Sequence, residues 1–126
     1  MSLLLKGRVV SGDKTGAYFI SMYAAKMKAK LGYDPFPGTL NLELPEAPSF
    51  PTRSHFISSW TEDGKSHGAV WMYPAVMLNT RVTAVVPELT HHGSKVVEVI
   101  SPYCLRTKFG LKDGDYIDLE VEEVTK

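Results

Sequence analysis

The chain has 126 residues and 44% hydrophobic content, enough for one domain that buries roughly two thirds of the surface its unfolded chain exposes. Its 14 basic residues balance 14 acidic ones, so no global field draws it onto nucleic acid or an anionic membrane, and any bound anion must be held by local donors. The single cysteine, Cys104, excludes an internal disulfide and a cysteine-built zinc site and suits a reducing cytoplasm. Adjacent His91 and His92 would point apart on a strand, and His55 and His67 are isolated, which argues against a histidine metal site. Leu3, Leu4 and Leu5 are soon followed by Lys6 and Arg8, too short a run for a signal segment, and nothing later approaches the roughly 20 apolar residues of a membrane helix. A cytoplasmic protein with one domain over 1–126 is expected.

Positions 3–10 read as a first strand, with Leu3, Leu5, Val9 and Val10 supplying apolar and β-branched character. Ser11-Gly12-Asp13-Lys14-Thr15-Gly16 follows, and suits either an ordinary loop or a nest of backbone N–H groups facing one anion. Ala17-Tyr18-Phe19-Ile20 then has strand character. Gly7 and Gly12 imitate a P-loop, but a P-loop lysine directly follows the second glycine, and here Asp13 intervenes before Lys14. A P-loop also opens a helix, so a strand at 17–20 argues further against that class. Ser21 is placed to cap a helix over 22–31, with Tyr23, Met27 and Leu31 as its apolar stripe, Lys26, Lys28 and Lys30 elsewhere on its surface and Gly32 at its end.

Asp34-Pro35-Phe36-Pro37-Gly38 belongs to neither a helix nor a central strand, because proline lacks the donor both require. This stiff approach enters a strand running to Leu44, with Leu40, Leu42 and Leu44 inward and Thr39, Asn41 and Glu43 outward. A hydroxyl and a carboxamide two residues apart on one face suit a metal that already carries a phosphate, although a tight turn entering an alternating strand explains the same residues. Three prolines mark 45–51 as a surface loop, after which 55–60, 68–78 and 81–86 read as antiparallel strands. Asp63-Gly64 is the strongest hairpin signal, and Asn79-Thr80 makes a second turn. Trp60, Trp71 and Tyr73 are read as core or rim rather than as stacking platforms.

A polar loop over 87–94 feeds a strand over 95–100, on which Val97 and Val99 face one way and Val96, Glu98 and Ile100 the other. Glu98 is thus a carboxylate among apolar neighbours, a placement that raises a pKa on burial unless the group is paired; an exposed or ion-paired glutamate fits the pattern too. Leu105 and Phe109 mark a helical turn closed by Gly110, Lys112-Asp113-Gly114-Asp115 turns the chain, and Ile117, Leu119 and Val121 alternate along a last strand. Many strands with little helix suit a small closed β-barrel, which leaves no unpaired sheet edge.

Three separated stretches together resemble the archaeal CTP-dependent riboflavin kinases. They are Val9-Val10-Ser11 running into Gly12-Asp13-Lys14-Thr15-Gly16-Ala17-Tyr18, then Phe36-Pro37-Gly38-Thr39-Leu40-Asn41-Leu42, and finally 91–102 with Leu105-Arg106 and Phe109-Gly110-Leu111-Lys112-Asp113-Gly114-Asp115. The resemblance implies a mainly β, six-stranded cradle-loop barrel, related to the RIFT barrels, with one short helix and one helical turn. It implies transfer of the terminal phosphate of CTP to the 5′-hydroxyl of riboflavin, giving FMN and CDP. Carried over by position, Asp13, Lys14, Thr15, Gly16, Ala17 and Tyr18 would wrap the nucleotide phosphates, and Tyr103, Cys104, Leu105 and Arg106 would line the cytidine pocket. Thr39 and Asn41 would hold magnesium, while Gly93, Ser94 and Glu98 would meet the flavin, with Glu98 accepting the proton of the attacking hydroxyl. Lys14 stands where the family's phosphate loop commonly has a glycine, and Gly93 where a hydroxyl side chain is common. No nucleic acid, membrane or protein partner is implied. The competing reading is a non-catalytic cradle-loop barrel, either a DNA-binding regulator, which the zero net charge disfavours, or a flavin carrier.

Overall fold

Period-two alternation of apolar residues drives the architecture seen in a computed structural model, which describes residues 2–12, 15–88 and 95–124. Among these the elements run β1 (Ser2–Val10), α1 (Thr15–Leu31), β2 (Leu40–Glu43), β3 (His55–Ile57), β4 (Trp60–Glu62), β5 (Lys65–His67), β6 (Val70–Met77), β7 (Thr80–Pro87), β8 (Val96–Ile100), α2 (Leu105–Phe109) and β9 (Tyr116–Glu122). Strands pair antiparallel in the order β6-β7-β8-β2-β1-β9, and β9 returns to β6 through Ala75↔Val121 and Val76↔Glu120. The result is the expected closed six-stranded barrel with two short helices. One edge of β6 serves two partners, β9 near its C-terminal end and β3 near its N-terminal end, where Ile57 faces Val70 and His55 faces Met72.

Inside the barrel, Val9, Leu40, Leu42, Leu44, Tyr73, Ala75, Met77, Val97, Val99, Ile117, Leu119 and Val121 form one apolar cluster. Fully burying a side chain such as Leu42 is worth about 1.5–3 kcal/mol. Gly7 makes room for it, since a Cβ there would lie 2.7 Å from Leu42 Cβ.

A second cluster lies outside the barrel wall, where Ile20, Tyr23 and Met27 of α1 pack on Ile57, Val70, Met72, Val85 and Ile100. Here the structure corrects the sequence reading. Positions 17–20 are not a strand but part of the first turns of α1, and Ser21 lies mid-helix, its Oγ donating to the Tyr18 carbonyl at 2.7 Å instead of capping. Tyr18, Phe19 and Ile20 have local strand preference, yet only a helix puts Ile20, Tyr23 and Met27 on one buried face, and that burial outweighs propensity. The helix stops at Gly32, whose φ of 83° is left-handed.

Two smaller corrections concern turns. The run 55–60 is not one strand: β3 joins the barrel, whereas β4 pairs only with β5. The second hairpin turns at Leu78-Asn79, not Asn79-Thr80, because Met77 pairs with Thr80 and both intervening residues have positive φ, 47° and 58°. A type I′ two-residue hairpin has that conformation at both centres, and leucine is an unusual residue to adopt it. The Asp63-Gly64 turn, with φ of 52° and 75°, is where the sequence puts it.

Candidate active site

A polar seam runs across the barrel wall at β2 and β8. Asn41 on β2 stands opposite Val10 on β1 and opposite Glu98 on β8, and Glu98 in turn stands opposite Val85 on β7. Directly paired residues project on the same side of the sheet with Cβ atoms about 4.5–5.5 Å apart, so the carboxamide and the carboxylate are neighbours on the outer face. Outward does not mean exposed: Asn41 keeps 5% and Glu98 7% of its surface accessible.

Gly12, just after β1, and Gly16, at the start of α1, supply the cover. A Cβ on Gly12 would overlap the Asn41 side chain, and one on Gly16 would come within 3.0 Å of Thr39 Oγ1. Glycine at both positions lets the backbone lie directly against Thr39 and Asn41. Beneath it, Thr39 Oγ1 donates to Asn41 Oδ1 at 3.4 Å, so the two side-chain oxygens converge. The first turn of α1 starts beside them, and its unpaired N–H groups and dipole favour negative charge.

From Thr39 the site continues into a cavity of about 70 Å³ lined by Phe36, Gly38, Thr39, Leu40, Val99 and Ser101 on one side and Tyr103, Cys104, Leu105 and Arg106 on the other. Phe36 N donates to the Ser101 carbonyl at 2.8 Å, which fixes the proline-bounded segment against the end of β8. Buried Ser101 holds the next turn, its Oγ donating to the Tyr103 carbonyl at 2.7 Å and accepting from Tyr103 N at 2.9 Å. The Thr107 hydroxyl donates to Cys104 Sγ at 3.3 Å and holds that thiol below its ordinary pKa. Arg106 turns its guanidinium back toward β1, donating to the Val10 carbonyl at 3.2 Å and to Asp113 Oδ1 at 2.5 Å.

The structure thus brings Thr39, Asn41, Glu98, Gly16 and the Tyr103–Arg106 segment into one region. Ala17 and Tyr18 follow on the first turn of α1, where Tyr18 is exposed. Thr15 opens that helix, while Asp13, Lys14, Gly93 and Ser94 lie outside the described residues. Sequence reasoning missed Phe36 as a pocket wall, Gly12 as the cover of Asn41, and the helix N-terminus beside Thr39. Extending the Tyr23–Met27 stripe back to Ile20 and Phe19 was the available signal for that helix. No group of three or more His, Cys, Asp or Glu side chains suited to a metal occurs among the described residues, which leaves the Thr39–Asn41 oxygen pair as the candidate. No described helix is long and apolar enough to cross a membrane.

The family model of CTP-dependent riboflavin kinases, CTP-dep_RFKase, described as a domain of unknown function (DUF120), matches residues 9–121. The chain belongs to the CTP-dependent riboflavin kinase family. The riboflavin kinase of Ignicoccus hospitalis is 40% identical over 125 residues, covering 93% of this chain and 70% of that protein. That of Saccharolobus solfataricus is 38% identical, covering 95% and 74% respectively, and that of Archaeoglobus fulgidus 35% identical, covering 95% and 55%. The chain therefore spans between about half and three quarters of the length of these relatives. Phosphoryl transfer in a riboflavin kinase family calls for a divalent metal. The neutral oxygens of Thr39 and Asn41 fit a hard cation whose remaining ligands are phosphates and waters.

Proposed function

We propose that this chain transfers the terminal phosphate of CTP to the 5′-hydroxyl of riboflavin, giving FMN and CDP, with magnesium as the metal. The observation that carries this reading is the seam itself: two converging oxygens on Thr39 and Asn41 under a glycine-bearing segment and a helix start, with a buried carboxylate paired across from Asn41. Their 3.4 Å separation is close to the roughly 3 Å edge of an octahedron with 2.0–2.1 Å bonds. When bound, magnesium would neutralise charge building on the phosphate oxygens.

The protein's own share is placement and one proton transfer. Gly12, Gly16 and the N-terminus of α1 offer backbone donors to the phosphates, and the Phe36–Arg106 cavity takes the base. Glu98 accepts the proton of the riboflavin 5′-hydroxyl as its oxygen bonds the terminal phosphorus and the bond from that phosphorus to the CDP oxygen breaks. Two reactants held in line with a base beside the nucleophile need no covalent intermediate.

The test is FMN formation from riboflavin by purified protein with magnesium and each of the four nucleoside triphosphates. FMN and CDP should appear in equal amounts, with CTP the best donor. No FMN from any donor would sink the reading.

A further inference from the structure

Asp113 has no part in the proposed transfer itself, yet its carboxylate ties together the two ends of the proposed nucleotide site. Oδ2 accepts from Ser11 Oγ at 2.6 Å, and Oδ1 accepts from Arg106 Nη2 at 2.5 Å. Ser11 directly precedes Gly12, the residue packed on Asn41, while Arg106 lines the base cavity. The turn bearing Asp113 is itself fixed to β1: Gly114 N donates to the Val9 carbonyl at 2.8 Å and Val9 N donates to the Asp115 carbonyl at 2.7 Å. It is also braced from within, since Lys112 N donates to Asp115 Oδ2 at 2.8 Å and Leu111 N to the Arg106 carbonyl at 2.9 Å. Asp113 is therefore a short bridge on a fixed turn, and its two hydrogen bonds set where the phosphate-side segment begins relative to the base-side helix.

Stability alone does not account for this arrangement. The Arg106 and Asp113 side chains are 37% and 57% exposed, and ion pairs this accessible add little to folding. The pair also engages Arg106 through Nη2, which donates both to Asp113 and to the Val10 carbonyl. We propose that Asp113 is a positioning residue for the nucleotide, acting through Ser11 on the phosphate-side segment and through Arg106 on the base cavity. This rests on the kinase reading for the identity of the nucleotide.

The test measures CTP affinity by calorimetry in the presence of magnesium, and separately KM for CTP, KM for riboflavin and kcat, for wild type, D113A, D113N, S11A and the S11A/D113A double variant. D113A should weaken CTP binding and raise its KM by about tenfold or more, the loss expected for hydrogen bonds to a charged group, with KM for riboflavin changed less than about twofold. D113N keeps an accepting oxygen and should fall between. S11A should weaken CTP by less than D113A and add little in the D113A background, since both remove one shared link. The exposed pair of Lys6 and Asp118, 4.0 Å apart, is the control, and D118N should leave both KM values unchanged. Equal CTP affinity in D113A and wild type overturns the proposal, as does a parallel rise in both KM values or a fall in melting temperature with CTP affinity unmoved. Wild type that binds CTP without making FMN overturns the kinase reading and leaves the binding comparison to decide this one; wild type that binds no CTP overturns both.

Discussion

Two neighbouring cross-strand pairs of β2 and β8, Leu42–Val97 and Asn41–Glu98, are both buried and are chemically opposite. Inward, Leu42 and Val97 pack among other apolar groups; outward, Asn41 and Glu98 are 5% and 7% exposed and polar. An apolar outer face under the same cover would cost nothing in desolvation, whereas buried polar groups are unfavourable unless their partners are in place. The difference teaches that the Leu42–Val97 pair answers to stability and the Asn41–Glu98 pair to chemistry. Substitutions on the two faces should therefore separate cleanly in what they damage.

The largest expected effect is on the polar face. Glu98→Gln should lower kcat by about 10²–10⁴, the usual worth of a general base, while circular dichroism and melting temperature show a folded protein. Asn41→Ala should shift the magnesium dependence of turnover to higher concentration and lower the rate by at least about 10–100-fold, the range seen when a metal site loses support. On the apolar face, Leu42→Ala should cost about 2–5 kcal/mol in a denaturant titration, with KM for both substrates unchanged in the folded fraction. Either result with the roles reversed would dissolve the contrast between the faces.

Gly12→Ala and Gly7→Ala give a sharper version, since both bring a Cβ onto β2, one against Asn41 and the other against Leu42. Both should destabilise by about 1–3 kcal/mol through overpacking, but only the Gly12 variant should also lose turnover, measured at a temperature where both are folded. The smallest effect is electrostatic. Hydrogen bonds from Ser11 and Arg106 hold the Asp113 carboxyl below the ordinary carboxylate range. A pKa depressed on folding contributes stability that is present above the unfolded value and lost as pH falls through the folded one. Melting temperature should thus fall more for wild type than for D113N between about pH 6 and pH 3, where carboxylates titrate, and a parallel decline would show that the bridge adds nothing to folding.

Much of this molecule was legible because its signals are local. Alternation along β1, β8 and β9 needs only the residues themselves, as does the Asp63-Gly64 turn, and the site stretches resemble a family through side-chain type and order. What the chain alone did not reveal depends on distant partners. The first turns of α1 are helical because Ile20 finds Val70, Met72 and Val85 on the barrel wall, and Asn41, outward by alternation, is buried because Gly12 lies on it. Ser11 meets Asp113 across 102 positions, and closure of β9 onto β6 sets which face of every strand is inside. Periodicity therefore determined the strands and residue chemistry the family, while burial and bridging, which are properties of contacts between remote segments, were decided only when the barrel closed.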